Sequence, residues 1–233
     1  MDITVVSMGT TTLTARRAAP NEVKVMTRRT RLGISALPQS ALPRAKALCQ
    51  ALFGDVFDED ANALASALTN INPVAHAPLA VFNWTRIERA ENWPQYHYMT
   101  PHVASVIVRL DAERRALARA FGLHVRSIEE HFAKSFNTRS EQLADIAAEL
   151  HASRGGPPGP TDVGTRFLGE DVPYGLAFSS VLARIAGMPM PCTETMIEAS
   201  SLITGRDLRA ENDLIDALGL RSETPDGLLE RLR

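Results

Sequence analysis

Two short stretches of this sequence carry residue types that could do chemistry. In Asn70-Ile-Asn-Pro-Val-Ala-His-Ala-Pro78, Asn72 followed by Pro73 reads as a helix cap and a proline at the first helical position, which puts His76 in the first turn. The partial positive charge of a helix N-terminus favours neutral imidazole and also attracts a carboxylate. A neutral histidine can take or give a proton near pH 7. The plainer reading is a capped helix start with a hydrogen-bonded core histidine, and residue types alone favour it. In Arg166-Phe-Leu-Gly-Glu-Asp-Val-Pro-Tyr-Gly175, two adjacent acids precede Val-Pro, a dipeptide that reads as extended or turning. An aspartate there can hold the second ring nitrogen of a catalytic histidine, fixing its tautomer and stabilising imidazolium. Glu170 or Asp171 could equally cap a helix beginning near Gly175.

Other stretches are weaker. Gly155-Gly-Pro-Pro-Gly159 resembles a phosphate loop only superficially, because prolines lack the N–H donors such a loop needs. His97 and His102, with Tyr96 and Tyr98, lack the acids that would complete a metal-ligand set, so no metal is expected. There is no G-x-S-x-G, no Walker A, no H-E-x-x-H and no G-x-G-x-x-G.

The elements that must position these residues divide unevenly along the chain. Residues 3–6, 23–26 and 32–36 are short β-branched or apolar runs that read as strands, and residues 1–40 are expected to form a small sheet open on one side. Residues 45–53 read as a helix ended near Gly54. Everything after residue 72 reads as helix: 72 to about 89, then 101 to 121 with Val103, Val106, Ile107, Leu110, Leu117 and Phe121 at helical spacing. Ser140 is expected to open a further helix with Leu143, Ile146, Ala147 and Leu150 on one face. The stretch 154–160 is a loop, and helices follow at 176–186, 193–204, 212–218 and 227–232. The fold class is therefore mostly α, an all-helical domain over 71–233 behind a small β-rich piece over 1–70. That piece is too small for a full α/β domain and looks like the closing part of one.

Composition bounds the rest. With 233 residues, 45% hydrophobic and 22% charged, the chain can bury a sizeable core without disulfides. Cys49 and Cys192 are too few for a disulfide framework, and no targeting or membrane-spanning segment is apparent, so the expectation is a cytoplasmic protein with no membrane partner. Residues 1–46 carry a net +6 and the remainder −8. The basic end could bind phosphate, but edge strands often carry Lys and Arg, and the net charge of −2 gives no reason to expect nucleic acid.

Taken together, the two stretches resemble the signature of the opine dehydrogenases, the octopine/nopaline dehydrogenase group. Asn72-Pro73-Val74-Ala75-His76 is similar to the family's Asn-Pro-x-x-His, although the family commonly continues His-Pro where this chain has His76-Ala77-Pro78. Glu170-Asp171-Val172-Pro173 is similar to its Glu-Asp-Val-Pro block, preceded by an Arg-aromatic pair, here Arg166-Phe167. The resemblance covers roughly residues 68–220, with a fainter match over 3–40. It implies a Rossmann domain followed by an all-α domain, and an NAD- or NADP-dependent condensation of an amino acid with a 2-oxo acid. It implies His76 as the proton donor and acceptor, Asp171 as the group that orients it, and Asn72, Arg166 and Tyr174 as substrate-carboxylate or scaffold contacts. Arg166 could instead tie its loop to Asp162.

The glycine fingerprint that such a cofactor domain needs does not occur here, so the chain alone is expected to bind dinucleotide poorly and to be inactive. An open sheet edge of the kind expected would offer a surface for a homodimer. Two other readings stay open. A ketopantoate-reductase-like dehydrogenase leans on a catalytic lysine, but lysines occur only at 24, 46 and 134. A non-catalytic helical binding or dimerisation module would keep His76 and Asp171 far apart or packed away from any cleft.

Overall fold

In the computed structural model, which describes residues 3–233 except the side chains of Arg16 and Thr27, the chain packs as two compact units. The first gathers the residues up to Asn70 with Leu123–Val125 and Asp226–Arg233; the second gathers Ile71–Gly122 and Arg126–Pro225. Among the described residues no helix is long and apolar enough to cross a membrane.

The first unit runs β1 (Val5–Met8), β2 (Leu13–Ala19), β3 (Glu22–Arg28), β4 (Leu32–Leu37), α1 (Leu42–Phe53), β5 (Phe57–Glu59) and α2 (Ala63–Thr69). β4 is its spine. β1 pairs antiparallel on one side, with Val5 opposite Leu37, and β5 pairs parallel on the other, with Leu32 opposite Phe57. Parallel neighbours need a crossover, and α1 provides it. Leu32, Ile34 and Ala36 of β4 are buried with Leu42, Ala45 and Cys49 of α1 and with Phe57. The expectation of one sheet within residues 1–40 is corrected: β5 lies beyond residue 40, and β2 and β3 form a separate two-stranded hairpin. Nothing in the sequence marks β2, because most of its described side chains, and those of its partner strand, face solvent and show no apolar alternation.

The second unit is helical: α3 (Asn72–Val81), α4 (Trp84–Glu88), α5 (Pro101–Ala120), α6 (Ile128–Phe136), α7 (Leu143–Arg154), α8 (Arg166–Gly169), a π-helix (Val172–Ala177), α9 (Phe178–Ile185), α10 (Pro191–Thr204) and α11 (Leu214–Ala217), with α12 (Pro225–Arg231) beginning at its end. α5 is central, with Ile107, Leu110 and Leu117 buried in phase. Its buried face also holds Asp111 and Arg114. Arg114 Nε donates to Asp111 Oδ1 at 2.9 Å, its Nη2 donates to the Arg126 carbonyl, and Asp111 Oδ2 accepts the Ile128 N–H at 3.1 Å. This buried pair pins the start of α6 to α5. Glu113, on the same helix, accepts the N–H groups of Cys192 and Thr193, both at 2.8 Å, and so caps α10.

Several boundaries move. Helix 72–89 is two helices, because the Asn83 side chain donates to the Leu79 carbonyl at 3.0 Å and its backbone leaves the helical region. The helix expected from Ser140 starts at Leu143; the Ser140 N–H and hydroxyl bind Glu149 instead. Leu143, Ile146, Ala147 and Leu150 are buried together as the spacing requires. The expected helix at 176–186 begins as the π-helix at Val172.

Candidate active site

α3 starts one residue earlier than the capping argument implies. Ile71 occupies the cap position, Asn72 is the first helical residue and Pro73 the second. Proline is tolerated there because the first N–H groups of a helix have no partner within it. His76 is consequently the fifth residue and belongs to the second turn, where the field of the helix terminus has weakened. Pro78 lies inside the helix and is buried, as are Val74, Ala75, Ala77 and Leu79, so the helix is fixed by packing nearly all round.

Asp171 stands at the residue before the π-helix and makes no capping bond to it. Its carboxylate reaches across to α3 instead. His76 Nδ1 and Asp171 Oδ2 are 2.7 Å apart, with both side chains largely buried. With the carboxylate ionised, that bond requires a proton on Nδ1, and Nε2 then carries the lone pair. Nε2 makes no hydrogen bond among the described residues. The ring lies flat on Phe167, with centroids 3.7 Å apart and planes 2° from parallel. Two residues 95 positions apart thus form one hydrogen-bonded pair, with the imidazole held by the carboxylate on one edge and by Phe167 on its face.

The remaining candidates separate. Arg166, in α8, is exposed; among the described residues its guanidinium makes no hydrogen bond or ion pair, and it lies 5.8 Å from the Phe167 ring centroid. The tie to Asp162 is corrected, since Asp162 accepts the Gly164 N–H at 2.6 Å instead. The Tyr174 hydroxyl makes a scaffold contact: Oη donates to Asp213 Oδ1 at 3.0 Å, and that hydrogen bond to a carboxylate pushes the phenol pKa up. Asn72 is half-buried at the start of α3. Glu170, beside Asp171, is exposed.

The weaker stretches find structural roles. The 155–160 loop is strapped along Trp93–Tyr96: Gly159 N donates to the Trp93 carbonyl at 2.7 Å and Trp93 Nε1 to the Pro160 carbonyl at 3.0 Å. A Cβ at Gly159 would lie 2.1 Å from the indole, so glycine alone lets the loop lie flat. No group of three or more His, Cys, Asp or Glu residues suited to a metal occurs among the described residues. Lys46 pairs with Glu59 at 3.0 Å, Lys24 lies in β3 and Lys134 in α6, so none of the lysines belongs to the His76 constellation.

A dinucleotide pyrophosphate rests on free N–H groups at a glycine-rich strand-to-helix turn. At the β4-to-α1 junction, Pro38 and Pro43 have no N–H, and those of Gln39 and Ala41 are bonded to the carbonyls of Arg233 and Pro38. At the β5-to-α2 junction the Asp60 carboxylate fills the turn, accepting from Ser66 Oγ at 2.7 Å and lying 2.5 Å from where a Cβ on Gly33 would be. A carboxylate there repels phosphate. Neither junction fits the group.

Comparison with known proteins gives a consistent picture. A family model described as NAD/NADP octopine/nopaline dehydrogenase, alpha-helical domain, matches residues 59–204. The chain is 33% identical over 168 residues to the opine dehydrogenase of Arthrobacter sp. (strain 1C), covering 72% of this chain and 46% of that protein. Its fold is similar to an octopine dehydrogenase solved with NADH and L-arginine, with a TM-score of 0.76, 18% identity, and coverage of 97% of this chain and 64% of that one. It is also similar to apo yersinopine dehydrogenase, with a TM-score of 0.65, 16% identity, and coverage of 99% and 65%. The chain therefore spans about half the length of the curated relative it matches. With the family model extending over well more than half of its residues, this chain belongs to the octopine/nopaline dehydrogenase family.

Proposed function

We propose that this chain supplies the proton-transfer and substrate-holding part of an opine dehydrogenase, an NAD(P)-dependent oxidoreductase that condenses an amino acid with a 2-oxo acid and reduces the product. The observation that carries the reading is the 2.7 Å bond between His76 Nδ1 and Asp171 Oδ2, with Nε2 left open. Protonated Nε2 gives its proton to the oxo-acid carbonyl oxygen as the amine nitrogen attacks the carbonyl carbon, and Asp171 stabilises the imidazolium that precedes this transfer. Arg166 offers a planar fork matched to a carboxylate, and its guanidinium has no competing hydrogen bond or ion pair among the described residues. Hydride delivery is the cofactor's own chemistry. It needs a pyrophosphate cradle that these residues do not fit.

The test is NADH and NADPH oxidation with pyruvate and a panel of amino acids, run on this chain and on a fusion that places a glycine-fingerprint nucleotide-binding half ahead of residue 1. The fusion is expected to turn over, and His76→Ala is expected to lower its rate by about 10²–10⁴-fold. A fusion that binds NADH but yields no secondary amine, or one whose turnover survives His76→Ala, overturns the reading.

A further inference from the structure

The His76–Asp171 bond is one of two rungs between α3 and the π-helix. Pro73 lies three residues before His76, and Gly175 four residues after Asp171, so each partner presents both residues on one face. Pro73 meets Gly175 as His76 meets Asp171. The contact between Pro73 and Gly175 is as close as backbone permits: a Cβ on Gly175 would lie 2.2 Å from Pro73 Cγ and 2.5 Å from its Cβ. The pyrrolidine ring cannot swing aside, so this rung sets the spacing at which the second forms.

From the other side the π-helix is held by Asn212. Its buried side chain donates from Nδ2 to the Pro173 carbonyl at 2.8 Å, while its Oδ1 accepts the Leu214 N–H at 3.0 Å. Both ends of the amide are used, and the carbonyl it holds is two residues from Asp171. A buried polar side chain that reaches a turn 39 residues away fixes that turn's position, not merely its own.

We propose that Asn212 and Gly175 are positioning residues that hold the Asp171 carboxylate on His76 Nδ1. The inference rests on the proton-transfer reading above. Asn212 touches neither reacting group; it acts by fixing the first turn of the π-helix, and Gly175 acts by letting that turn seat on Pro73. A carboxylate in place of the amide keeps the acceptor for Leu214 but turns a second oxygen toward the Pro173 carbonyl, which pushes the turn away.

The experiment follows the His76 Nδ1–H signal in the full chain labelled with ¹⁵N-histidine, alongside melting temperature. The wild type is expected to show an exchange-protected imidazole N–H that Asp171→Asn removes. Asn212→Asp and Gly175→Ala are each expected to lose that signal or to exchange it on the order of tenfold faster, as for the loss of one hydrogen bond. Ile146→Val, a core change in α7, lowers stability while leaving the Asn212 and Gly175 contacts in place, and is expected to leave the signal intact. If Asn212→Asp and Gly175→Ala both retain the protected proton, the inference is overturned while the His76–Asp171 pair stands. If Ile146→Val loses it equally, the effect is general loosening and the inference is likewise overturned. If the wild type shows no such proton, the pair itself fails and takes this inference with it.

Discussion

The imidazole of His76 and the ring of Phe167 lie face to face, 3.7 Å between centroids and 2° from parallel, with Phe167 itself buried. The stack leaves the imidazole one plane in which to sit, and Asp171 then selects which nitrogen points inward. Orientation is thus set by two contacts of different kinds, one apolar and one charged.

Phe167→Leu keeps most of the volume and loses the flat surface, so it is expected to cost less than about 1.5 kcal/mol, against about 3–5 kcal/mol for Phe167→Ala. Combining Phe167→Leu with His76→Ala in a double-mutant cycle by urea denaturation is expected to give a coupling of about 0.5–1.5 kcal/mol. A coupling near zero would mean that the rings are merely adjacent.

Asp171→Asn tests orientation separately from charge removal at His76. An amide that donates to Nδ1 keeps that nitrogen from taking a proton, so the imidazolium that gives up the Nε2 proton does not form. In the fusion described above, kcat is expected to fall by about 10²–10⁴-fold with KM little changed, because the substrate contacts are untouched. A change confined to KM would place Asp171 in binding instead.

Arg114 is buried beside Asp111, and its removal strands a carboxylate in the core and frees the Arg126 carbonyl. Arg114→Met is expected to destabilise the helical unit by about 3–5 kcal/mol, read from urea denaturation. Hydrogen exchange at the α6 N-terminus should accelerate in the same variant, since Asp111 is what holds the Ile128 N–H. A cost below about 1 kcal/mol would show that α6 is anchored by its apolar face alone.

Glu149 gives the fold an acid-sensitive contact. The N–H groups of Arg139 and Ser140, then the Ser140 hydroxyl, hold its carboxyl below the usual glutamate range. A folded pKa below the unfolded value, about 4.3, contributes stability that is present above that value and lost as pH falls through the lower one. Unfolding free energy between about pH 3 and 6 should therefore fall less steeply with acid in Glu149→Gln than in the wild type. Parallel curves would remove Glu149 from the acid response.

The pairing of His76 with Asp171 is legible only through the family resemblance of Asn72–His76 and Glu170–Pro173, since residue types alone favour a capped helix start at each. What those patterns could not convey was phase: Ile71 takes the cap, so His76 belongs to the second turn. The start of α6 is written in Ser127-Ile-Glu-Glu130, a capping box that forms with Ser127 Oγ accepting the Glu130 N–H at 3.1 Å and Glu130 Oε2 accepting the Ser127 N–H at 2.7 Å. β5, three residues long, carries too few side chains for a period to emerge. The π-helix is a different case, since the Asn212 amide that holds its first turn lies far along the chain and no local window contains it.

The strap of the 155–160 loop over Trp93 has a spectroscopic consequence. Trp84 and Trp93 are the two tryptophans of the chain, and both lie in the helical unit, Trp93 sealed beneath the Gly159 backbone. Tryptophan emission therefore reports on that unit and is blind to the β-containing one, whereas circular dichroism sees both. Coincident denaturation midpoints from the two signals would mark a single cooperative transition. A red shift that lags or leads the ellipticity would time the opening of the indole's cover against the melting of the strands.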